Sequence, residues 1–282
     1  MQAITAHKQI SKIVHQAKSN GKSVGFVPTM GALHHGHASL IDYALKDCAL
    51  IIVSIFVNPT QFNNASDLDK YPRTLDKDLD FLAHYGDKVA VYAPTATEVY
   101  GNEVSSTPYN FGAIEKVMEG EHRPGHFDGV GTVLNLLFRQ VSPDKAYFGE
   151  KDYQQLAIVR KLVEKEKLPL EIIGCPIHRQ ENGLAMSSRN ARLTENQLAI
   201  APFIYEVLQY VKNNFDTHSA LQLRKYVSAA FEKKEGLDLE YFEIANIKNL
   251  STLSRKRKNQ QYRAFLAVYA GEIRLIDNIA LN

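Results

Sequence analysis

Cysteine is almost missing from this chain: Cys48 and Cys175 are the only two in 282 residues. They stand far apart in apolar surroundings, which excludes a disulfide framework and a paired-cysteine zinc site. Buried thiols in a reducing compartment fit better. Charge of one sign is lacking too. Lys and Arg number 33 against 31 Asp and Glu, a net charge of +2, so the chain as a whole does not advertise nucleic-acid binding. The one concentrated basic run, Arg255-Lys256-Arg257-Lys258, leads into Asn259-Gln260-Gln261. It reads as a solvated loop before a strand, with an RNA-contact patch as the sharper alternative. The longest apolar run, Ala49–Val57, falls well short of the roughly 20 residues a membrane helix needs, and Met1–Lys8 holds no apolar signal region. A soluble, cytoplasmic protein with no membrane or nucleic-acid partner is expected. Two nucleotide motifs are also missing. No Gly-Lys-Ser/Thr stands at Walker spacing, and Gly129-Val130-Gly131 lacks the third glycine of a dinucleotide fingerprint because position 134 is leucine.

What is present alternates. Short β-rich runs at Ser23–Val27, Leu50–Val57, Val89–Ala93, Ala146–Phe148 and Leu170–Cys175 are separated by helical stretches. Those helices are expected over His37–Lys46, Leu75–His84, Thr132–Val141 and Tyr153–Glu166. Near-continuous apolar strands between helices predict a parallel sheet covered on both faces, a Rossmann-like doubly wound domain over residues 1–176. From about Ile177 the pattern changes. Amphipathic helices at Ala199–Asn213 and Ala220–Lys233 precede strands at Leu239–Ala245, Tyr262–Ala270 and Glu272–Ile276. That order predicts a smaller α+β domain with antiparallel strands over residues 177–282.

Ligands of such parallel sheets bind beyond the C-terminal ends of the strands. Three predicted strands end in segments with chemical content. The first gives way to Pro28-Thr29-Met30-Gly31-Ala32-Leu33-His34-His35-Gly36-His37. Two histidines three apart would sit at a helix N-terminus, where free N–H groups and the dipole favour a polyphosphate. Gly31 and Gly36 would let the backbone approach the anion. The competing reading is a pair of packed or surface histidines. The second strand ends in Asn58-Pro59-Thr60-Gln61-Phe62, whose two amides would grip hydroxyls and carboxylates without adding charge, or make ordinary turn bonds. The third ends in Gly149-Glu150-Lys151-Asp152-Tyr153-Gln154-Gln155. There Lys151 would neutralise phosphoryl oxygens, and Asp152 would hold a ribose hydroxyl or hydrated Mg²⁺, or simply cap a helix. Further on, Ala185–Asn190 offers two hydroxyls and a guanidinium suited to wrapping phosphates, and His122–Phe127 is a stiff loop rich in cationic groups.

Taken in order, these pieces resemble the pantoate–β-alanine ligases, or pantothenate synthetases, of the class I nucleotidyltransferase superfamily. The matching segments are Pro28–His37, Val57–Phe62, Tyr71–Thr74, Arg123–Phe127, Phe148–Gln155, Ala185–Asn190 and Arg274–Asn278, which span nearly the whole chain. His34–His37 is similar to the superfamily's His-x-Gly-His element. Met186–Arg189 is similar to its second signature loop, with serine and arginine where aminoacyl-tRNA synthetases commonly carry lysines. The resemblance implies that pantoate attacks the α-phosphorus of ATP to give pantoyl adenylate and pyrophosphate, and that β-alanine then releases AMP and pantothenate. It also implies ATP contacts at Met30, Gly31, Ala32, Leu33, His34, His35, Gly36, His37, Gly149, Glu150, Lys151, Asp152, His178, Met186, Ser187, Ser188 and Arg189. Gln61 and Gln155 would hold pantoate, Gln61 would also meet β-alanine, and Asn58, Arg123 and His126 would be further substrate contacts. His34, His37 and Lys151 would be the catalytic set, with His37 as the family's proton donor, although stabilising charge on a loose phosphoryl transition state is the larger contribution. Mg²⁺ would arrive with ATP, Asp152 being its one candidate protein ligand. The C-terminal domain would act as a lid hinged near residues 176–190, and the chain would form a homodimer. Against an adenylyltransferase with another acceptor stand the Gln61 and Gln155 contexts and the Gly149–Asp152 loop; against a nucleotide-sensing or RNA-binding protein that kept the site but lost catalysis stand His34, His37, Lys151, Ser187 and Arg189 and the near-neutral charge.

Overall fold

The structure, a computed structural model, describes residues 1–62 and 65–282. The chain runs β1 (Ala3–Ile4), α1 (His7–Ser19), β2 (Val24–Thr29), α2 (His35–Asp47), β3 (Leu50–Ile55), α3 (Ala65–Asp69), α4 (Leu75–Leu82), β4 (Val89–Tyr92), α5 (Ala96–Tyr100), α6 (Glu119–His122), α7 (His126–Val141), β5 (Lys145–Gly149), α8 (Tyr153–Lys165) and β6 (Glu171–Cys175). It continues through α9 (Glu195–Ile200), α10 (Phe203–Asn213), α11 (Ala220–Glu232), β7 (Asp238–Asn246), β8 (Tyr262–Ala270) and β9 (Ile273–Ala280). Among the described residues, β1 to β6 form one parallel sheet in the order β1-β4-β3-β2-β5-β6. β7, β8 and β9 form a separate antiparallel sheet. The expected doubly wound sheet followed by an antiparallel group is therefore what the chain builds.

Both faces of the parallel sheet carry a core, because successive strand residues point to opposite sides. Phe26, Ile52, Tyr92, Ala146 and Phe148 pack on one face with Ile10 and Val14 of α1, Phe138 of α7 and Leu156 of α8. Val27, Ile51, Val53, Val91 and Tyr147 pack on the other with Ile41 of α2 and Leu82. A third cluster, formed from residues 184 to 281, joins α10, α11 and the antiparallel sheet. Cys48 and Cys175 both lie in the second cluster as free buried thiols.

Several elements depart from the pattern read in the sequence, each for a local reason. β1 and α1 went unrecognised; the strand is two residues long and exists only because Ala3 and Ile4 pair with Val91 and Tyr92. The single helix expected over Ala199–Asn213 is two helices, because Pro202 supplies no N–H and crowds the preceding turn. β9 runs on to Ala280, well past Ile276, since β8 offers it a partner at every position from Ile273. β2 passes through Pro28 to Thr29 instead of ending at Val27. Its ladder with β5 has already stopped at Phe26 opposite Ala146, so Pro28 interrupts no bond on that side.

The glycines at 129 and 131 have a packing explanation that needs no dinucleotide. A Cβ on Gly129 would lie 2.3 Å from the carbonyl oxygen of Thr60, and one on Gly131 would lie 3.0 Å from the Tyr109 ring. Helix α7 is thus pressed against the turn that carries Gln61, and Asn58 Nδ2 donates to the Gly129 carbonyl across this contact. Gly129→Ala puts a side chain against backbone atoms that have nowhere to go. We expect it to destabilise the fold by about 1–3 kcal/mol, read as a lowered urea midpoint; an unchanged midpoint would show that α7 can retreat freely.

Candidate active site

β2 sits at the point where the strand order reverses, with β3 on one side and β5 on the other. The segments leaving β2 and β5 diverge there, and a cleft of about 270 Å³ opens between them. Its lining brings together Met30, His34, Gly36 and His37 from the first segment and Gly149, Lys151, Asp152 and Gln155 from the second. Asn58, Gln61, Arg123 and His126 join from the third strand end, the loop before α7 and the first residue of α7, and His178 and Met186–Arg189 close the far side. Residues more than 150 positions apart in sequence thus share one cavity. Gly31, Ala32, Leu33, His35 and Glu150 do not line it.

The turn after β2 is held from inside the protein. Thr29 Oγ1 accepts from the Gly31 N–H and donates to the Ser54 carbonyl. The buried Asp78 carboxylate of α4 accepts from the Ala32 N–H at 3.0 Å and the Leu33 N–H at 2.7 Å, and Thr74 Oγ1 approaches it as well. The amides of 31–33, expected to face an anion, are therefore already satisfied by Thr29 and Asp78. They shape the turn through left-handed φ angles of +79° at Gly31 and +50° at Ala32. Asp78 escaped the sequence reading because nothing local sets it apart from Asp76 and Asp80 in the same helix. His35 is exposed, its ring T-shaped to that of Phe81, and it is not among the residues lining the cleft.

His34 is the N-cap of α2. Its Nδ1 accepts from the Gly36 N–H at 3.1 Å, while His37 Nδ1 accepts from the His34 N–H at 3.3 Å, a reciprocal cap built from two imidazoles. With both Nδ1 atoms accepting, the proton of each neutral ring resides on Nε2. Neutral is their state near pH 7. Burial, with Lys151 and His178 nearby, lowers His34 to about 4. Burial, then His34 and Lys151, drives His37 well below its usual value. Gly36 is needed for this arrangement, since a Cβ there would meet the His34 ring at 2.8 Å. Ser188 Oγ donates to the Ala32 carbonyl and ties the 185–190 loop to this turn.

The amide side of the cleft is organised by Asn58, which is 1% exposed. Its Nδ2 donates to Gln61 Oε1 and to the Gly129 carbonyl, and its Oδ1 accepts from Tyr100 and Thr60. The amide is fully engaged, so Asn58 aims Gln61 rather than offering bonds of its own. Among the described residues Gln61 Nε2 then meets the weak acceptor Met30 Sδ, leaving it as the usable donor. Arg123 and His126, expected as substrate contacts, both donate to the Gln61 carbonyl, at 3.4 and 2.8 Å. His126 is kept neutral, its pKa lowered to about 3 by burial and by Arg123. Gln155 is half-buried at the cleft wall, whereas its neighbour Gln154 is buried and bonded to the backbone of residues 114–119.

The antiparallel sheet closes the other side. Arg274 of β9 forms paired bonds to Glu119 and to Glu240. Burial opposes charge on Glu119, but Arg274, with Arg123 and Tyr241, outweighs it and holds that carboxyl at about 2. The Glu150 carboxylate is turned from the cleft and bound by Arg263 of β8 at 2.7 Å. Arg189 shares the carboxylate of Asp67 with Arg192, each at 2.9 Å. Among the described residues no three His, Cys, Asp or Glu side chains converge as they would around a metal ion. Asp152 is half exposed, 3.6 Å from Lys151 Nζ.

Known proteins resemble this chain along its whole length. The family described as pantoate-beta-alanine ligase matches residues 2–280. A pantothenate synthetase of Christiangramia forsetii is 53% identical over 282 residues, covering 100% of both chains. One from Porphyromonas gingivalis is 43% identical, covering 99% of each. Among solved structures, a pantothenate synthetase from Thermus thermophilus superposes with a TM-score of 0.91 at 34% identity, covering 100% of this chain and 99% of that one. A pantoate-beta-alanine ligase from Francisella tularensis, complexed with beta-gamma ATP and beta-alanine, gives 0.82 at 37% identity, covering 100% and 98%.

Three histidines held neutral have a consequence for stability. Their folded pKa values lie below the unfolded value near 6.5, so the unfolded chain binds more protons once the pH drops below that value. Stability is complete above about pH 6.5 and is lost as the pH falls toward 4, with unfolding taking up about three protons from His34, His37 and His126. Urea melts at pH 7, 6 and 5 should show this slope. His126→Asn, which keeps a donor for the Gln61 carbonyl, should flatten it by about one proton. A midpoint indifferent to pH would contradict the neutral assignment.

Proposed function

The chain belongs to the pantoate–β-alanine ligase family, and we propose that its cleft joins pantoate to β-alanine through pantoyl adenylate. A carboxylate oxygen of pantoate bonds to the α-phosphorus of ATP while the bond to pyrophosphate breaks. The β-alanine amine then bonds to the acyl carbon, AMP departs and the amine loses a proton. One observation carries the assignment. The cavity at the β2–β5 parting unites two neutral histidine donors, Lys151 and Arg189 with the amides of Gln61 and Gln155.

The division of labour follows from charge. His34 and His37 present Nε2–H groups, Lys151 an ammonium, and Ser187, Ser188 and Arg189 hydroxyls and a guanidinium, all suited to oxygens that gain charge as pyrophosphate leaves. A neutral imidazole whose pKa is depressed is a hydrogen-bond donor rather than an acid, so His37 stabilises charge without handing over its proton. Mg²⁺ brought by ATP would offset the remaining charge on the leaving group; Asp152 would meet it through water, since no cage for a bare ion forms among the described residues. The pantoate side is neutral for a reason. A cation paired to the carboxylate would lower its nucleophilicity, whereas Gln61 and Gln155 orient it at little cost.

Residues 1–176 form the nucleotide- and pantoate-binding domain and residues 177–282 the smaller domain, which closes over the adenylate to keep water from it. The protein works in the cytoplasm as a homodimer. The apolar cluster confined to residues 184–281 supports this division, and no helix among the described residues is long and apolar enough to cross a membrane.

The adenylate route predicts that ATP, Mg²⁺ and pantoate alone suffice to move labelled pyrophosphate into ATP. Stoichiometric ADP instead would mean an acyl phosphate and would overturn the route. Lys151→Ala should depress exchange by roughly 10²–10³-fold through its use of ATP, whereas Gln155→Ala should raise the requirement for pantoate. Steady-state titration of each substrate separates the two defects, and a Gln155→Ala enzyme impaired only toward ATP would reverse the assignment of the two walls.

A further inference from the structure

Lys151 stands on a three-residue turn, Glu150–Asp152, between β5 and α8. Its ammonium has Asp152 at 3.6 Å as its ion-pair partner, so where it points depends on how the turn is held. The hold comes from the antiparallel sheet. Asn278 of β9 donates from Nδ2 to the carbonyl of Glu150 at 2.9 Å and to that of Lys151 at 2.8 Å. Its Oδ1 accepts from Arg263, which also binds the Glu150 carboxylate and lies over the Tyr153 ring at 4.3 Å. The Asn278 backbone is pinned in turn: its N–H donates to Asp277, and its carbonyl accepts from Arg179, which forms two bonds to Asp277. Asn278 is 1% exposed, and each of its polar atoms is engaged in this way.

We propose that Asn278 is a positioning residue that sets Lys151 for the nucleotide by gripping the two carbonyls of its turn. A primary amide suits this place for a chemical reason. It alone among uncharged side chains offers two N–H groups on one nitrogen and an acceptor for Arg263 beside them. The consequence is that the antiparallel sheet does more than cover the cleft. Its docking fixes the lysine, so a chain whose β9 is displaced from the β5 end has an intact histidine turn and a misplaced ammonium. This inference rests on the ligase reading only in taking Lys151 to meet the nucleotide.

The test compares Asn278→Ala, Asn278→Asp, Lys151→Ala and the Asn278→Ala/Lys151→Ala double variant. Binding of a β,γ-nonhydrolysable ATP analogue is measured by calorimetry, alongside the pantoate KM and the melting temperature. Asn278→Ala should weaken the analogue by about tenfold or more, the scale of a lost hydrogen bond to a charged site, with the pantoate KM within about twofold. Asn278→Asp keeps the size and the Arg263 partner but turns an oxygen toward two carbonyls, so it should bind the analogue no better than Asn278→Ala. In the Lys151→Ala background, removing Asn278 should cost nothing further, which a merely structural loss would not reproduce. Equal losses with and without Lys151, or an Asn278→Asp protein with wild-type affinity, would overturn the proposal. If Asn278→Ala fails to fold, the Asn278→Asp comparison still decides. Coupled losses of binding in a protein that shows no pyrophosphate exchange would support Asn278's role while sinking the ligase reading, so the two stand or fall separately.

Discussion

Strands β2 and β5 pair only at Gly25 and Phe26 and then part, and everything functional in this protein depends on that parting. Two parallel strands whose connections leave toward opposite sides open a crevice beyond their carboxyl ends. Pro28 reinforces the break because it has no N–H to extend the ladder. The opening receives the histidine turn from one strand and the lysine turn from the other. Asn58 and Gln61 follow β3, the neighbour on the far side of β2.

The site that fills this opening separates charged from neutral recognition. Buried ions occur in pairs or triads: Glu119 with Arg274 and Arg123, Asp277 with Arg179, Glu150 with Arg263. Such pairs contribute little net stability against their desolvation, but removing one partner strands the other, so they hold the two sheets in one mutual placement. The histidines are kept neutral by the same burial and by nearby cations. A cleft with uncharged amides on one wall and an ammonium on the other suits a carboxylate that must stay nucleophilic beside phosphate oxygens that gain negative charge as the leaving group departs.

Much of this was legible in the order of residues. The alternation of apolar strands and helices up to Cys175 and its change afterwards mark the parallel sheet and the antiparallel one. Pro28–His37, Asn58–Phe62 and Gly149–Gln155 each mark a strand end. What escaped was of two kinds. β1, two residues long, has no pattern of its own and exists by pairing with β4. Asp78, Glu119, Arg263 and Asn278 are polar residues inside otherwise ordinary elements, and nothing local separates them from solvated neighbours. Arg274–Asn278 stood out as a segment, but not for what it holds.

The sequence by itself determined the type of sheet, the places where strands give way to polar turns and the chemical character of those turns, because these depend on residue type and spacing over a few neighbours. Only the tertiary structure decided how each group is used. It turned the amides of 31–33 inward to Thr29 and Asp78, spent Asn58, Arg123 and His126 on holding Gln61, and gave Glu150 to Arg263. The reason is physical. A buried polar group must find a partner, and whether that partner is substrate or protein depends on what the fold brings within about 3 Å, across separations no local pattern records.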